Sequence, residues 1–198
     1  MTTINLSGAY PKFKRPRLLT HPNIPKPLHG LAPRTMMGTA WWDERREEAY
    51  KKNNYCCWAC GVSKTAAREK KHLEAHEAYD FDYQQGTARL IEIVALCHYC
   101  HNFIHCGRLK NLAEKGEVSW RKFQDVMTHG LAVLETADLE PHWHLKAVMD
   151  PEFVPPPQPN GIAPWSAWRL VIDGREFKSL FRSFEEWKAY YGVDTTDD

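Results

Sequence analysis

A chain of 198 residues, 43% of them hydrophobic, is long enough and apolar enough to bury a core. No stretch of it approaches the roughly 18 to 20 consecutive apolar residues of a membrane span. A net charge of +1 neither requires nor excludes a polyanionic partner, but the charge is unevenly placed: residues 1 to 34 carry Lys12, Lys14, Arg15, Arg17, Lys26 and Arg34 and no acid, whereas the chain ends in DTTDD.

Residues 1 to 40 read as a basic, Pro-rich arm, expected to be extended or draped rather than helical. Such an arm can follow a phosphate backbone through Lys12, Lys14, Arg15 and Arg17, or simply serve as a solvated tail. The start, MTTINLSGAYPKFKR, lacks the basic-then-apolar order of a secretory signal. The expectation is therefore a cytoplasmic protein whose six cysteines are reduced, which favours metal binding over disulfides.

Residues 41 to 150 are expected to form the main domain. WWDERREEAYKK reads as a helix with Trp41 and Trp42 inward, followed at once by the cysteine group YCCWACG. SKTAAREKK reads as a short helix capped by Ser63. HLEAHEAY and RLIEIVALC read as strands, with DFDYQQGTA as the loop between them. From His98 the chain is expected to turn helical through NFIHCGRLKNLAEK, and Ser119 to cap a further helix, WRKFQDVMTHGLAVLE. Residues 151 to 164 are a Pro-rich linker. Residues 165 to 198 read as a small ββα unit: a hairpin with an Asp173-Gly174 turn, then SFEEWKAYY with a Ser183/Glu186 capping box. That unit is too small to be stable alone and is expected to dock on the main body. The tryptophans are expected in core and docking positions.

The segment LCHYCHNFIHCG concentrates the chemistry. Cys97-x₂-Cys100 pairs with Cys57-x₂-Cys60 upstream to make two knuckles, the spacing of a tetrahedral structural zinc. Cys56 is a feasible substitute for Cys57, and Cys106 reads as a small buried residue. On a helix that starts at the knuckle, His101 and His105 fall at i and i+4 on one face, spaced to share one cation. His76, in the strand LEAHEA, offers a third ligand. A hairpin that supplies one histidine and a helix that supplies two is the ββα-metal arrangement.

LEAHEA…IVALCHYCHNFIH resembles the HNH endonucleases, in the subgroup whose core is clamped by a zinc knuckle pair, over about residues 55 to 110. The resemblance implies an α+β protein with an HNH-type ββα-metal core, a Cys₄ zinc, flanking helices, an extended N-terminal arm and the small C-terminal ββα unit. It implies metal-dependent hydrolysis of DNA phosphodiester bonds, with RNA as the alternative substrate and a protein partner through the C-terminal unit as a further possibility. Besides zinc it implies a second divalent ion (Mg²⁺, Mn²⁺, Ni²⁺ or Zn²⁺) on His76, His101 and His105, with Arg108 beside the basic arm as a nucleic-acid contact. Two positions depart from the family: Glu77 stands where the general-base histidine is expected, and Glu92 where the asparagine is expected. Glu77 then serves as base or as an extra ligand, with His72 or His98 as stand-ins for the base. The rival is a catalytically reduced zinc module of the same fold that binds DNA or a protein. A weaker third reading is a zinc-ribbon structural protein. His129, His142 and His144 read as structural or surface residues. By association such a protein suits a bacteriophage or mobile element, acting in the host cytoplasm.

Overall fold

A computed structural model describes residues 11–69, 71–150, 152–156 and 161–192. The expectations about the first ten residues, the DTTDD end and part of the Pro-rich linker lie outside the described residues. The described chain is mixed α+β, with a four-stranded sheet in the order β1-β2-β3-β4 and helices between and around the strands.

The Pro-rich beginning departs from the extended arm. Pro16–Thr20 and Lys26–Leu28 are 3-10 turns, and α1 (Pro33–Met37) is a single helical turn. Each has proline at its first or second position, where the missing N–H costs nothing and the fixed φ favours helical geometry. Leu18, Leu19, Leu28 and Leu31 are buried, so apolar anchors fix this segment despite its charge. α2 (Thr39–Lys52) matches the helix expected there. Among the described residues after Ser63 the expected helix is a 3-10 turn, Lys64–Ala66, for which the Ser63 hydroxyl makes no cap.

The two strands are longer than expected. β1 spans Leu73–Asp82 and β2 spans Thr87–Cys97, so most of DFDYQQGTA is strand and the turn is confined to 83–86. Asp82 Oδ1 accepts the N–H groups of Gln84 and Gln85 at 3.0 and 2.8 Å, which closes the turn. Gly86 completes it at φ +65°, and a Cβ there would lie 2.8 Å from that of Ala163. The expected single helix after His98 is two, α3 (His98–Ile104) and α4 (Cys106–Glu114), with the break at His105. α5 (Trp120–Thr136) is capped by Ser119, whose hydroxyl accepts the Lys122 N–H. α6 (Trp143–Met149) lies in a stretch for which no element was expected.

β3 (Arg169–Ile172) pairs parallel to β2 in the register Thr87↔Arg169, and β4 (Arg175–Lys178) pairs antiparallel to β3. Asp173 and Gly174 both take positive φ, as a two-residue hairpin turn of this type needs. In α7 (Phe184–Tyr191) Ser183 accepts the Glu186 N–H as expected, while the Glu186 carboxylate reaches back to the Arg182 N–H instead of that of Ser183.

The chain divides into two units. One comprises Met1–Asn23, Arg45–His76 and Ile93–Pro156. Its buried residues include Leu19, Trp58, Leu96, Phe103, Val126 and Leu134. α3 and α5 cross closely at Gly130, where a Cβ would stand 2.1 Å from the Phe103 ring. Trp58 is anchored by its Nε1–H, which donates to the Ala49 carbonyl at 3.2 Å. The other unit comprises Ile24–Glu44, Glu77–Glu92 and Pro157–Asp198, with a core of Leu28, Leu31, Ala88, Ala163, Trp168, Leu170 and Ile172. Trp58 and Trp168 occupy core positions, but Trp120 and Trp143 are exposed. Among the described residues no helix is long and apolar enough to cross a membrane.

Candidate metal centres

Four cysteines meet where the start of α3 packs on the loop after α2. Cys57, Cys60, Cys97 and Cys100 place their sulfur atoms within 4.8 Å of one another. Cys60 Sγ and Cys97 Sγ are 3.8 Å apart, the separation of about 3.8 Å that tetrahedral thiolates have around a zinc with bonds of about 2.3 Å. Cys97 is also the N-cap of α3, its sulfur accepting the Cys100 N–H at 3.5 Å. Hydrogen bonds from Cys100 and Cys57 push Cys60 down to about 6, and Cys97 is driven down by the same neighbours. Burial pushes Cys57 up, and hydrogen bonding to its neighbours pushes Cys100 up. Four thiols this close cannot all ionise without a cation between them, and a dication lets all four bind as thiolates. The cluster can hold a metal such as zinc. His129 Nε2 lies 3.4 Å from Cys100 Sγ, and hydrogen bonding to the Cys60 and Cys97 sulfurs holds its imidazole at about 9. Cys56 stays outside the cluster, in an isolated bridge with Ser63. Cys106 is fully buried, and burial pushes its thiol up to about 11.

Three histidines converge nearby. His76 on β1, His101 on α3 and His105 at the α3–α4 junction bring one nitrogen each within 4.8 Å of the others. Their ring centroids are 4.9 to 5.4 Å apart. His76 is 5% exposed, and neither of its nitrogens meets a hydrogen-bond partner among the described residues. An imidazole buried without a partner is costly unless something fills the gap. Burial, reinforced by His105, His101 and His21, holds His76 well below the ordinary histidine range, and burial with His101 and Arg108 holds His105 at about 4. Both rings are neutral at pH 7 and present lone pairs, as metal ligation requires.

Glu74, two residues before His76 and therefore on the same face of β1, joins the cluster. Its Oε2 lies 2.5 Å from His101 Nδ1 and its Oε1 lies 2.7 Å from His98 Nδ1. Burial works to raise this carboxyl, but the hydrogen bonds from His101 and His98 outweigh it and hold it at about 2. An ionised carboxylate accepts only, so His101 donates to it from Nδ1, which leaves the Nε2 lone pair for ligation. His98 Nε2 faces the Glu69 carboxylate at 3.4 Å, and His72 lies 3.7 Å from Glu74.

β1 runs unbroken through residues 76 and 77, so Glu77 projects from the face opposite His76. It is not among the converging ligands. Lys12, Lys14, Arg15, Arg17 and Arg108 are all exposed. Glu74 was legible from the strand period but carried no role in the sequence reading. His21, whose ring stands edge-on to His76 with centroids 5.9 Å apart, had no local signal at all. His144 is 8% exposed rather than a surface residue. No protein-family model, no curated protein and no solved structure matches the chain.

Proposed function

We propose that the protein is a metal-dependent endonuclease that hydrolyses DNA phosphodiester bonds through an HNH-type ββα-metal site, beside a structural zinc on Cys57, Cys60, Cys97 and Cys100. The reading rests chiefly on the convergence of His76, His101 and His105, with neither nitrogen of the buried His76 ring meeting a hydrogen-bond partner among the described residues. The donor set fits a borderline divalent ion: neutral imidazoles, one of them oriented by a carboxylate. When bound, such an ion supplies Lewis-acid stabilisation of charge on the phosphate oxygens. His76, His101 and His105 hold it, and Glu74 fixes the tautomer and aim of His101. Exposed Arg108, whose charge is felt at His105, is suited to a phosphate next to the scissile one.

The second reading, a binding module of the same fold that has lost its chemistry, is favoured by one observation. The position after His76 carries a glutamate aimed at the other face of its strand. A plasmid-nicking assay with Mg²⁺, Mn²⁺, Ni²⁺ and Zn²⁺, wild type beside His101→Ala, separates the two. Nicking by the wild type that His101→Ala abolishes supports the enzyme. Retained DNA binding without nicking under all four metals supports the module.

A further inference from the structure

A phosphodiester strand that lies across the histidine site continues beyond it, and contacts to its other phosphates set its register. Near the start of β1 is a feature suited to such a contact, a polar cleft of about 290 Å³. Its lining includes Arg46, Glu47 and Tyr50 of α2, Tyr55 of the following turn, Lys64, and His72 just before β1. Arg46, Lys64 and His72 outnumber the one carboxylate of the lining, Glu47, so the cleft is cationic on balance.

Its walls are fixed by contacts of their own. Arg46 Nη1 meets Glu47 Oε1 at 3.2 Å, and its guanidinium also hydrogen-bonds Tyr50, which holds the planar fork on α2. Asn54 and Tyr55 both take positive φ, +51° and +53°, a strained backbone for a residue as bulky as tyrosine. Such strain gathers where a side chain has to be aimed, and Tyr55 is 40% exposed. The Lys64 N–H donates to the Tyr55 carbonyl at 2.8 Å, and the Lys64 ammonium lies 6.0 Å from the centre of the Tyr55 ring. The bridge Cys56↔Ser63 closes the loop between them, and that loop carries Cys57 and Cys60. A metal on the four cysteines therefore also secures this wall.

The cleft also lies close to the histidine site. His72 Nε2 is 3.7 Å from Glu74 Oε1, and Glu74 Oε2 in turn hydrogen-bonds His101. Leu73 to His76 of β1 spans about 10 Å of strand, whereas each strand of duplex DNA presents a phosphate about every 3.4 Å of axis. A strand held at His76 thus brings a phosphate a few nucleotides away within reach of the cleft.

We propose that this cleft is a phosphate-binding subsite for a backbone phosphate of DNA a few nucleotides from the scissile one. Arg46 and Lys64 are its cationic contacts, and the Tyr55 ring is the wall beside Lys64. The proposal rests on the nuclease reading above for the identity and placement of the strand. Free inorganic phosphate offers the same chemistry, and the test separates the two sources.

The test compares full-length wild type with Lys64→Ala, Tyr55→Gly and, as a control of equal charge loss outside the cleft, Lys115→Ala. Glycine suits the left-handed backbone at 55, so that variant removes the ring without adding strain. Fluorescence anisotropy with a duplex oligonucleotide, without added divalent ion, gives the affinity and its salt slope, and thermal melting reports folding. Lys64→Ala is expected to lower affinity about tenfold, the loss of one charged hydrogen bond, and to take about 0.9 from the magnitude of the slope. Tyr55→Gly should weaken binding with a thermal midpoint at or above that of wild type, and Lys115→Ala should change neither affinity nor slope. Wild-type affinity and slope in both cleft variants overturn the proposal. An equal effect in Lys115→Ala also overturns it, by reducing the effect to net charge. Inorganic phosphate that raises the midpoint of wild type but not of Lys64→Ala, against chloride of equal ionic strength, while both bind DNA alike, makes this a free-ion site and overturns the DNA assignment. None of these readouts uses cleavage, so a wild type that binds through the cleft yet never nicks removes the nuclease reading and leaves the cleft as a phosphate contact of the binding module.

Discussion

Glu74 Oε2 stands 2.5 Å from His101 Nδ1, and the same carboxylate reaches His98 Nδ1 with its other oxygen. One side chain thereby links a histidine of the candidate metal site to the histidine that follows Cys97 in the knuckle. Removing it leaves His101 without a fixed tautomer. Glu74→Gln is expected to weaken metal binding at the histidine site about 10- to 100-fold while zinc content stays at wild-type level. Competition with a chelating dye measures the first and metal analysis the second. Unchanged affinity would show that His101 needs no orienting partner.

Zinc on the four cysteines is expected to be a condition of folding rather than an addition to it. In small zinc-finger peptides the apparent binding free energy is on the order of 10 kcal/mol, comparable to the whole stability of an ordinary domain. Cys97→Ser keeps a side-chain acceptor at the N-cap of α3 and so isolates the loss of the metal-binding thiolate. That variant should be insoluble or lose most of its ellipticity, and the purified wild type should contain one zinc per chain. A wild type free of zinc would refute the assignment.

The close crossing at Gly130 gives a test of the packing that is independent of any metal. A Cβ there would meet the Phe103 ring at 2.1 Å, far inside contact distance. Gly130→Ala therefore forces α3 and α5 apart, although alanine is the better helix former. A loss of about 1 to 3 kcal/mol by urea denaturation is expected. A stabilised variant would mean that the helices are not held at this distance.

How much of this was legible depends on how local the signals are. α5 and the α7 cap are written in adjacent residues, Ser119 before Trp120 and Ser183 before Phe184, and both are found where expected. The paired knuckles and the His101/His105 spacing are equally local. The strand ends within residues 80–88 read as loop because polar composition obscures an alternation: Tyr79 and Phe81 against Asp80 and Asp82 is a strand period. The parallel pairing of β2 with β3 and the approach of His21 to His76 join segments far apart in sequence, and no local pattern encodes either. Burial of Leu18 and Leu19 in a segment dense with proline and lysine was hidden for the same reason, since the surface that receives them is supplied by other elements.

Acid should act on the histidine centre in a defined window. His105 is held at about 4 by burial and by His101 and Arg108, against an unfolded value of about 6.5. Between those two values the unfolded chain takes up a proton that the fold refuses, so stability falls as pH drops. The contribution is complete above pH 6.5 and lost progressively toward pH 4. Glu74, held at about 2, has the opposite chemistry but the same direction, and its share is lost only below about pH 4.5. With the histidine site free of metal, urea denaturation between pH 4.5 and 7.5 should therefore show a slope that His105→Gln reduces, the remainder coming in part from His76, which burial also holds low. An unchanged slope would mean that other groups set the acid limb.

The basic N-terminal residues need a subtler test than truncation. Deleting residues 1–34 would also remove Leu18, Leu19, Leu28 and Leu31 from buried positions, so lost DNA binding would report lost folding. Arg15 is a poor probe as well, because its guanidinium lies over the Trp58 ring at 5.5 Å and its backbone N–H donates to the Trp58 carbonyl. Lys12, Lys14 and Arg17 are exposed and serve better. Each phosphate neutralised contributes a slope of about −0.9 in log K against log salt. If all three side chains lie on phosphates, the triple alanine variant should bind DNA more weakly and lose about 2.7 from the magnitude of that slope, with its thermal midpoint unchanged. Fluorescence anisotropy over a salt series reads this directly. A parallel shift in affinity without a change of slope would place the three charges away from the backbone, and an unchanged affinity would leave them a role in solubility alone.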